Sequence, residues 1–148
     1  MIKLLCLLLL LFATGCANDE NKLYLEDELY GENEFIVIDE NKINELYEKK
    51  ATYILFTNNN FCSMQISCDK IFEEFMQKKD IGIYSIPFTE FKNTYLYGEV
   101  KYAPSIMIVK DGELYQYLDV NKDEDYEKYQ DVRKFTKWVN SYISLKKK

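Results

Sequence analysis

Two cysteines, Cys62 and Cys68, are the side chains in this sequence best suited to covalent chemistry on other molecules. A thiolate is a strong nucleophile, and its natural reaction with another protein is disulfide exchange. The chain contains four cysteines and no histidine. That absence excludes Ser-His-Asp and Cys-His nucleophile activation, histidine acid–base work and every histidine-ligated metal site. Two cysteines without histidine also make a poor zinc site. Asp123, Glu124, Asp125 and Glu127 cluster, but lack the alternating spacing of a calcium loop. They read as a solvated helix start. With a net charge of −6, a nucleic-acid-binding body is excluded too. Neither a metal nor an organic cofactor is called for.

The other two cysteines belong to the start of the chain. Lys3 precedes nine apolar residues, Leu4 to Phe12, followed by Ala13-Thr14-Gly15-Cys16. As a helix the apolar run spans about 14 Å, too little for a bilayer core of about 30 Å. A basic start, a short apolar run and small residues make a secretory signal. With a cysteine directly after Gly15, the segment resembles the lipobox of bacterial lipoproteins. The resemblance implies that residues 1–15 are removed and that Cys16 carries lipid. The protein then sits on the extracytoplasmic face of a membrane, inner or outer, where disulfides persist. Cys6 is discarded and Cys16 is capped. Cys62 and Cys68 remain as thiols.

Residues 16–34 are acidic, with Asp19, Glu20, Glu26, Asp27, Glu28, Glu32 and Glu34 against Lys22 alone. Such charge extends a tether away from an anionic membrane. Leu23, Tyr24, Leu25, Leu29 and Tyr30 are too apolar for a pure spacer, so part of this stretch is expected to dock on the domain that follows, residues 35–148.

In that domain strands and helices alternate. Phe35 to Ile38 reads as a short buried strand. Asp39 is placed to cap a helix with Ile43, Leu46 and Tyr47 on one face. Thr52 to Thr57 is a second strand, Asn58 to Asn60 a loop, and a long helix runs to about Lys79. Ile81 to Ile86 is a third strand, and a weaker helix lies near Thr89 to Tyr97. Asp111-Gly112 marks a hairpin between Ser105–Lys110 and Glu113–Asp119. A last helix is expected from about Asp123 to Leu145, with Val132, Phe135, Val139, Tyr142 and Ile143 on its apolar face. The order βαβαβαββα predicts an α/β three-layer sandwich whose mixed sheet closes with an antiparallel hairpin.

That order, with a cysteine after the second strand and a proline before the hairpin, resembles the thioredoxin fold from about Phe35 to Leu145. The segment Tyr97-Gly98 to Pro104-Ser105, followed by the apolar run to Asp111-Gly112-Glu113, is similar to that family's Tyr-Gly … Pro-Thr … Asn-Gly-Glu stretch. Phe61-Cys62-Ser63-Met64-Gln65 stands where the family has Trp-Cys-Gly-Pro-Cys. The resemblance implies that Cys62 is the attacking cysteine and that the Ala103–Pro104 bond is cis and faces it. It also implies that the backbone of Ala103 is free to pair with an extended substrate. Gln65 replaces the second cysteine, and the strand Thr52 to Thr57 carries no acid.

Cys68 has two readings. At helical spacing it joins Met64, Ile71, Phe72 and Phe75 on one apolar face. Six residues along a helix also rise about 9 Å, beyond the reach of a disulfide. If instead the helix starts with Ser67 as its cap, Cys62 and Cys68 lie close enough to bridge. Two functions follow. One is thiol–disulfide exchange on proteins outside the cytoplasm, with Cys62 attacking, Cys68 or an external thiol resolving, and Ala103 and Pro104 positioning the substrate. The other is a redox-inactive binding lipoprotein using the groove beside Pro104. For the leader, the expected outcome is a mature N-terminus at lipid-modified Cys16 by mass spectrometry. Cys16→Ser is expected to move the protein out of the membrane fraction.

Overall fold

The computed structural model describes residues 21–59 and 68–148. Its five strands are β1 (Phe35–Val37), β2 (Tyr53–Asn58), β3 (Ile83–Pro87), β4 (Ser105–Lys110) and β5 (Glu113–Leu118). The helices are α1 (Glu40–Glu48), α2 (Cys68–Lys79), α3 (Phe88–Phe91), α4 (Asp123–Tyr126) and α5 (Val132–Tyr142). The sheet order is β1-β3-β2-β4-β5. β3 runs parallel to both β1 and β2, whereas β4 is antiparallel to β2 and to β5. This is the expected mixed sheet with a closing hairpin.

β2 is central, and Tyr53 to Thr57 are all buried. A strand covered on both faces reads as a continuous apolar run rather than an alternating one. Successive side chains still point to opposite faces. On one face Phe56 meets Phe72 of α2, which meets Phe135 of α5. On the other, Tyr53 lies edge-on to Tyr84. Tyr95, whose 3-10 turn spans Tyr95–Gly98, contacts Tyr47 of α1 there. Helix, sheet and helix thus form the three layers.

The hairpin turn has both central residues left-handed, with φ of 53° at Asp111 and 83° at Gly112. Such a turn matches the twist of its strands, and glycine takes the second position without steric cost. The turn is also tied down. Gly112 N–H donates to Ala51 O at 2.8 Å, Asp111 N–H donates to Thr52 Oγ1 at 3.3 Å, and the Tyr95 hydroxyl donates to Gly112 O.

Four expectations need correction. First, the final helix is not continuous. α4 passes into a 3-10 turn at Glu127–Tyr129, and α5 starts afresh after Asp131. The Asp131 carboxylate accepts from the N–H groups of Arg133 at 2.8 Å and Lys134 at 3.4 Å. It thereby satisfies donors that an α-helix leaves unpaired at its start. Second, the segment around Thr89 to Tyr97 is two short pieces, α3 and the turn at Tyr95–Gly98, instead of one helix. Third, β1 is an edge strand rather than a buried one, and its Val37 is 74% exposed. Fourth, Tyr47, expected on the buried face of α1, is exposed, whereas Ile43 and Leu46 are buried.

The acidic stretch does dock. Leu23 N–H donates to Tyr142 O, and Ser144 N–H donates to Leu23 O, each at 2.8 Å. Glu26 N–H donates to Thr52 O at 2.9 Å, and Gly82 N–H to Leu29 O at 2.7 Å. The Tyr30 hydroxyl donates to Ser144 O at 3.0 Å and accepts from Leu25 N–H at 3.1 Å. Leu25 and Leu29 are buried in the core. The stretch is a strap across the ends where β2 and β3 begin and α5 stops.

The break before α5 lets Tyr129 turn inward. It is 1% exposed, and its ring contacts Phe72. Its hydroxyl accepts from Ile106 N–H at 3.1 Å and donates to Leu118 O at 2.8 Å. It therefore bridges a β4–β5 pair from within the core, and burial pushes the phenol pKa up. Tyr129→Phe leaves both backbone groups unpaired. The expected loss is about 1–3 kcal/mol in urea unfolding, the cost of unsatisfied buried groups.

Asp131 predicts a pH dependence. The Arg133 guanidinium and the N–H groups of Arg133 and Lys134 hold its carboxyl at about 2, below the ordinary 3.8. A depressed carboxyl contributes stability above its unfolded pKa and loses it as pH falls through the folded value. Urea midpoints are expected to drop between about pH 4 and pH 2, and the drop is expected to be smaller in Asp131→Asn.

Candidate functional site

β2 ends where β4 begins. The antiparallel register pairs Thr57 with Ser105, the last pair of the ladder on that side. Immediately before Ser105 the Ala103–Pro104 peptide bond is cis, as the resemblance implied. Asn59, just past β2, donates through Nδ2 to Ala103 O at 3.4 Å. The Ser105 hydroxyl donates to Tyr102 O at 2.7 Å and fixes the turn entering β4. Tyr102 itself is 54% exposed, while Ala103 and Pro104 are half-buried. A partly open rim thus borders a buried strand end.

The Asn59 contact corrects one expectation. The main chain of Ala103 is not fully free, because its carbonyl already accepts the Asn59 amide. Asn58 to Asn60 read in sequence only as a loop. What the spacing does carry is a side-chain amide just beyond a strand end, opposite a backbone carbonyl. Asparagine commonly bonds backbone groups in such places.

Polar pairing is incomplete here. The Thr57 hydroxyl and Asn59 Oδ1 are both buried, and neither makes a hydrogen bond among the described residues. Most buried polar atoms in folded proteins are paired. Two such unpaired atoms fall within three residues at this strand end, and a third, Tyr53 Oη, lies at the other end of β2.

Cys68 opens α2 and is 2% exposed. It lies in the core with Phe72 and Phe75, and its Sγ is 4.0 Å from Asp69 Oδ1. Burial raises the Asp69 carboxyl pKa, because desolvation disfavours the charged form. Of the other sequence-predicted residues, Cys62 and Gln65 lie outside the described residues, as does Cys16. The structure thus brings Ala103 and Pro104 to the end of β2 and places Cys68 beneath the start of α2.

Among the described residues no group of three histidine, cysteine or acidic side chains is placed to hold a metal ion. No described helix is long and apolar enough to cross a membrane. A recess of about 670 Å³ lies along β1, lined by Glu28, Val37, Asp39, Lys42 and Tyr84 among others. It shares no residue with the Pro104 region. Asp123 forms the first turn of α4 with Glu124 and Asp125, in keeping with a solvated helix start.

No protein-family model matches the chain, and no curated protein matches it in sequence. Solved structures do resemble it. An N21Q mutant thioredoxin from Halobacterium salinarum is 15% identical, with a TM-score of 0.56. The match covers 78% of this chain and 96% of that one. Schistosoma mansoni thioredoxin is 14% identical with a TM-score of 0.52, over 75% of this chain and 97% of its own. A thioredoxin from Trypanosoma brucei brucei has a TM-score of 0.50 at 7% identity, covering 78% and 97%. At such identities the likeness speaks for architecture alone, and it agrees with the strand order described above: the chain has a thioredoxin-like fold.

Proposed function

We propose that this protein performs thiol–disulfide exchange on other proteins through Cys62. In this reading a lipid on Cys16 holds it at the extracytoplasmic face of a membrane. The observation that carries the reading is the meeting of Ala103–Pro104 with the end of β2. Three residues of chain join Asn59 to Cys62, and three residues span at most about 11 Å. Covalent reach alone therefore limits Cys62 to within about 11 Å of Asn59, the residue that contacts Ala103 O.

The chemistry is a pair of displacements. The Cys62 thiolate attacks one sulfur of a substrate disulfide. A bond forms between Cys62 and that sulfur, and the other sulfur leaves as a thiolate that takes up a proton. A second thiolate then attacks the Cys62 sulfur of the mixed disulfide; the substrate's remaining sulfur leaves as a thiolate that takes up a proton, and Cys62 is left in a disulfide with the attacker. That second thiol is Cys68 or a low-molecular-weight thiol, and the substrate ends with two thiols while the attacking pair is oxidised. The rim at Ala103 and Pro104 holds the substrate chain against the sulfur. Neither step requires a cofactor.

A second reading has its own support. Cys68 is buried, and Gln65 stands at the position of the second cysteine in the resembling motif. A protein that keeps the rim but not the chemistry is a binding lipoprotein with the same groove.

Cys62→Ser and Cys68→Ser separate these readings. Under exchange, Cys62→Ser abolishes reduction of a protein disulfide. If Cys68 resolves, Cys68→Ser accumulates mixed disulfides with substrate proteins, seen on non-reducing gels and lost with reductant. If Cys68 serves only the core, the same change traps nothing and destabilises the fold by about 1–3 kcal/mol through a buried hydroxyl. Absence of exchange in the wild type, with partner capture unaltered in both variants, would leave the binding reading standing.

A further inference from the structure

The Ala103 carbonyl is the acceptor that an extended substrate would use at the Pro104 rim. In the structure that acceptor is occupied by Asn59 Nδ2 at 3.4 Å. A side-chain carboxamide has the same donor and acceptor as a backbone peptide group. Asn59 therefore fills, from within the chain, a place that a substrate N–H would take.

The contact is weakly held on two counts. Its length lies beyond the usual 2.7–3.2 Å of an N–H···O bond. Its other end, Asn59 Oδ1, is buried and makes no hydrogen bond among the described residues. Removing an acceptor from water without a partner costs free energy that offsets what the amide gains. Thr57, two residues earlier, leaves a second unpaired hydroxyl beneath the same strand end. The closed position is thus poised to open, and opening returns Oδ1 to a solvent or ligand partner.

We propose that Asn59 is a latch on the Ala103 carbonyl that a substrate must displace with its own backbone N–H. This rests on the reading of the Pro104 rim as a substrate-docking site. The latch weighs only on partners that use that carbonyl: an extended peptide must displace it with its own N–H, whereas a small disulfide without backbone amides leaves it in place and reacts unaffected. Asn59 is a positioning residue, since it acts on the docking acceptor and not on the reacting sulfur.

The test uses the full chain and two disulfide probes. One is a short extended peptide carrying a mixed disulfide on its cysteine. The other is an aromatic disulfide with no amide groups. Asn59→Ala removes the latch, and Asn59→Asp keeps its size but has no donor. Both variants are expected to raise the ratio of peptide to aromatic exchange rates by roughly two- to tenfold, the worth of one neutral hydrogen bond. An unchanged or lowered ratio overturns the latch.

A second titration is independent of sulfur chemistry. The same peptide with serine for cysteine is added while the Ala103 carbonyl carbon is followed by NMR. Asn59→Ala is expected to bind it roughly two- to tenfold more tightly, with a shift of that carbon on binding. Equal or weaker affinity, or no shift at Ala103 in either protein, overturns the latch. If the wild type exchanges neither disulfide while the serine peptide binds as expected, the exchange reading fails and the latch stands.

Discussion

The pairing of β2 with β4 is the constraint on which the rest depends. Tyr53 to Thr57 run against Val109 to Ser105 in an unbroken register. A slip of one residue would turn every side chain of β4 to the wrong face. It would also carry Pro104 away from the end of β2. Because both strands are buried, the register is set by the core itself. Ile106 to Val109 and Tyr53 to Phe56 have almost no contact with solvent. The position of the rim relative to the end of β2 is therefore a property of the hydrophobic core.

Polar groups then secure what the core has placed. Tyr129 bridges the backbones of β4 and β5, and Thr52 and Ala51 hold the hairpin turn. Each contact lies on the β4–β5 unit and is buried or half-buried. There a lost partner costs more than a surface ion pair gains. The lysine–carboxylate pairs at Lys49–Glu45 and Lys78–Glu74 are exposed and contribute little by comparison. Around Pro104 the pattern changes. There Thr57 and Asn59 each leave a buried polar atom without a partner among the described residues, as Tyr53 does at the far end of β2.

Much of this was legible from the residues. The alternation of apolar runs with helical faces gave the element order, and Asp111-Gly112 gave the hairpin. What periodicity does not register is local hydrogen bonding. Asp131 looks like one more polar residue on a helix, yet its carboxylate caps the start of a new one. Tyr129 reads as an amphipathic surface residue until its hydroxyl is seen between two strands. Val37 sits in a short apolar run that suits a buried strand equally well. Only the strand order shows it to be at an edge. At the site, Pro104 and the cysteines stood out by type. Asn59 did not, since asparagine runs commonly mean a turn, and its partner lies forty-four positions away.

The strap formed by Leu23 to Gly31 has a geometric consequence. It crosses the molecule where β2 and β3 start, whereas Asn59 and Pro104 lie where β2 ends. The six residues of β2 separate the two poles by about 20 Å. Any attachment acting through the chain before Leu23 grips the domain by its base. The Pro104 rim lies at the opposite end of β2 from that grip. Pulling on that attachment loads the strap's hydrogen bonds to Tyr142 and Ser144 at the end of α5 rather than the β2–β4 ladder.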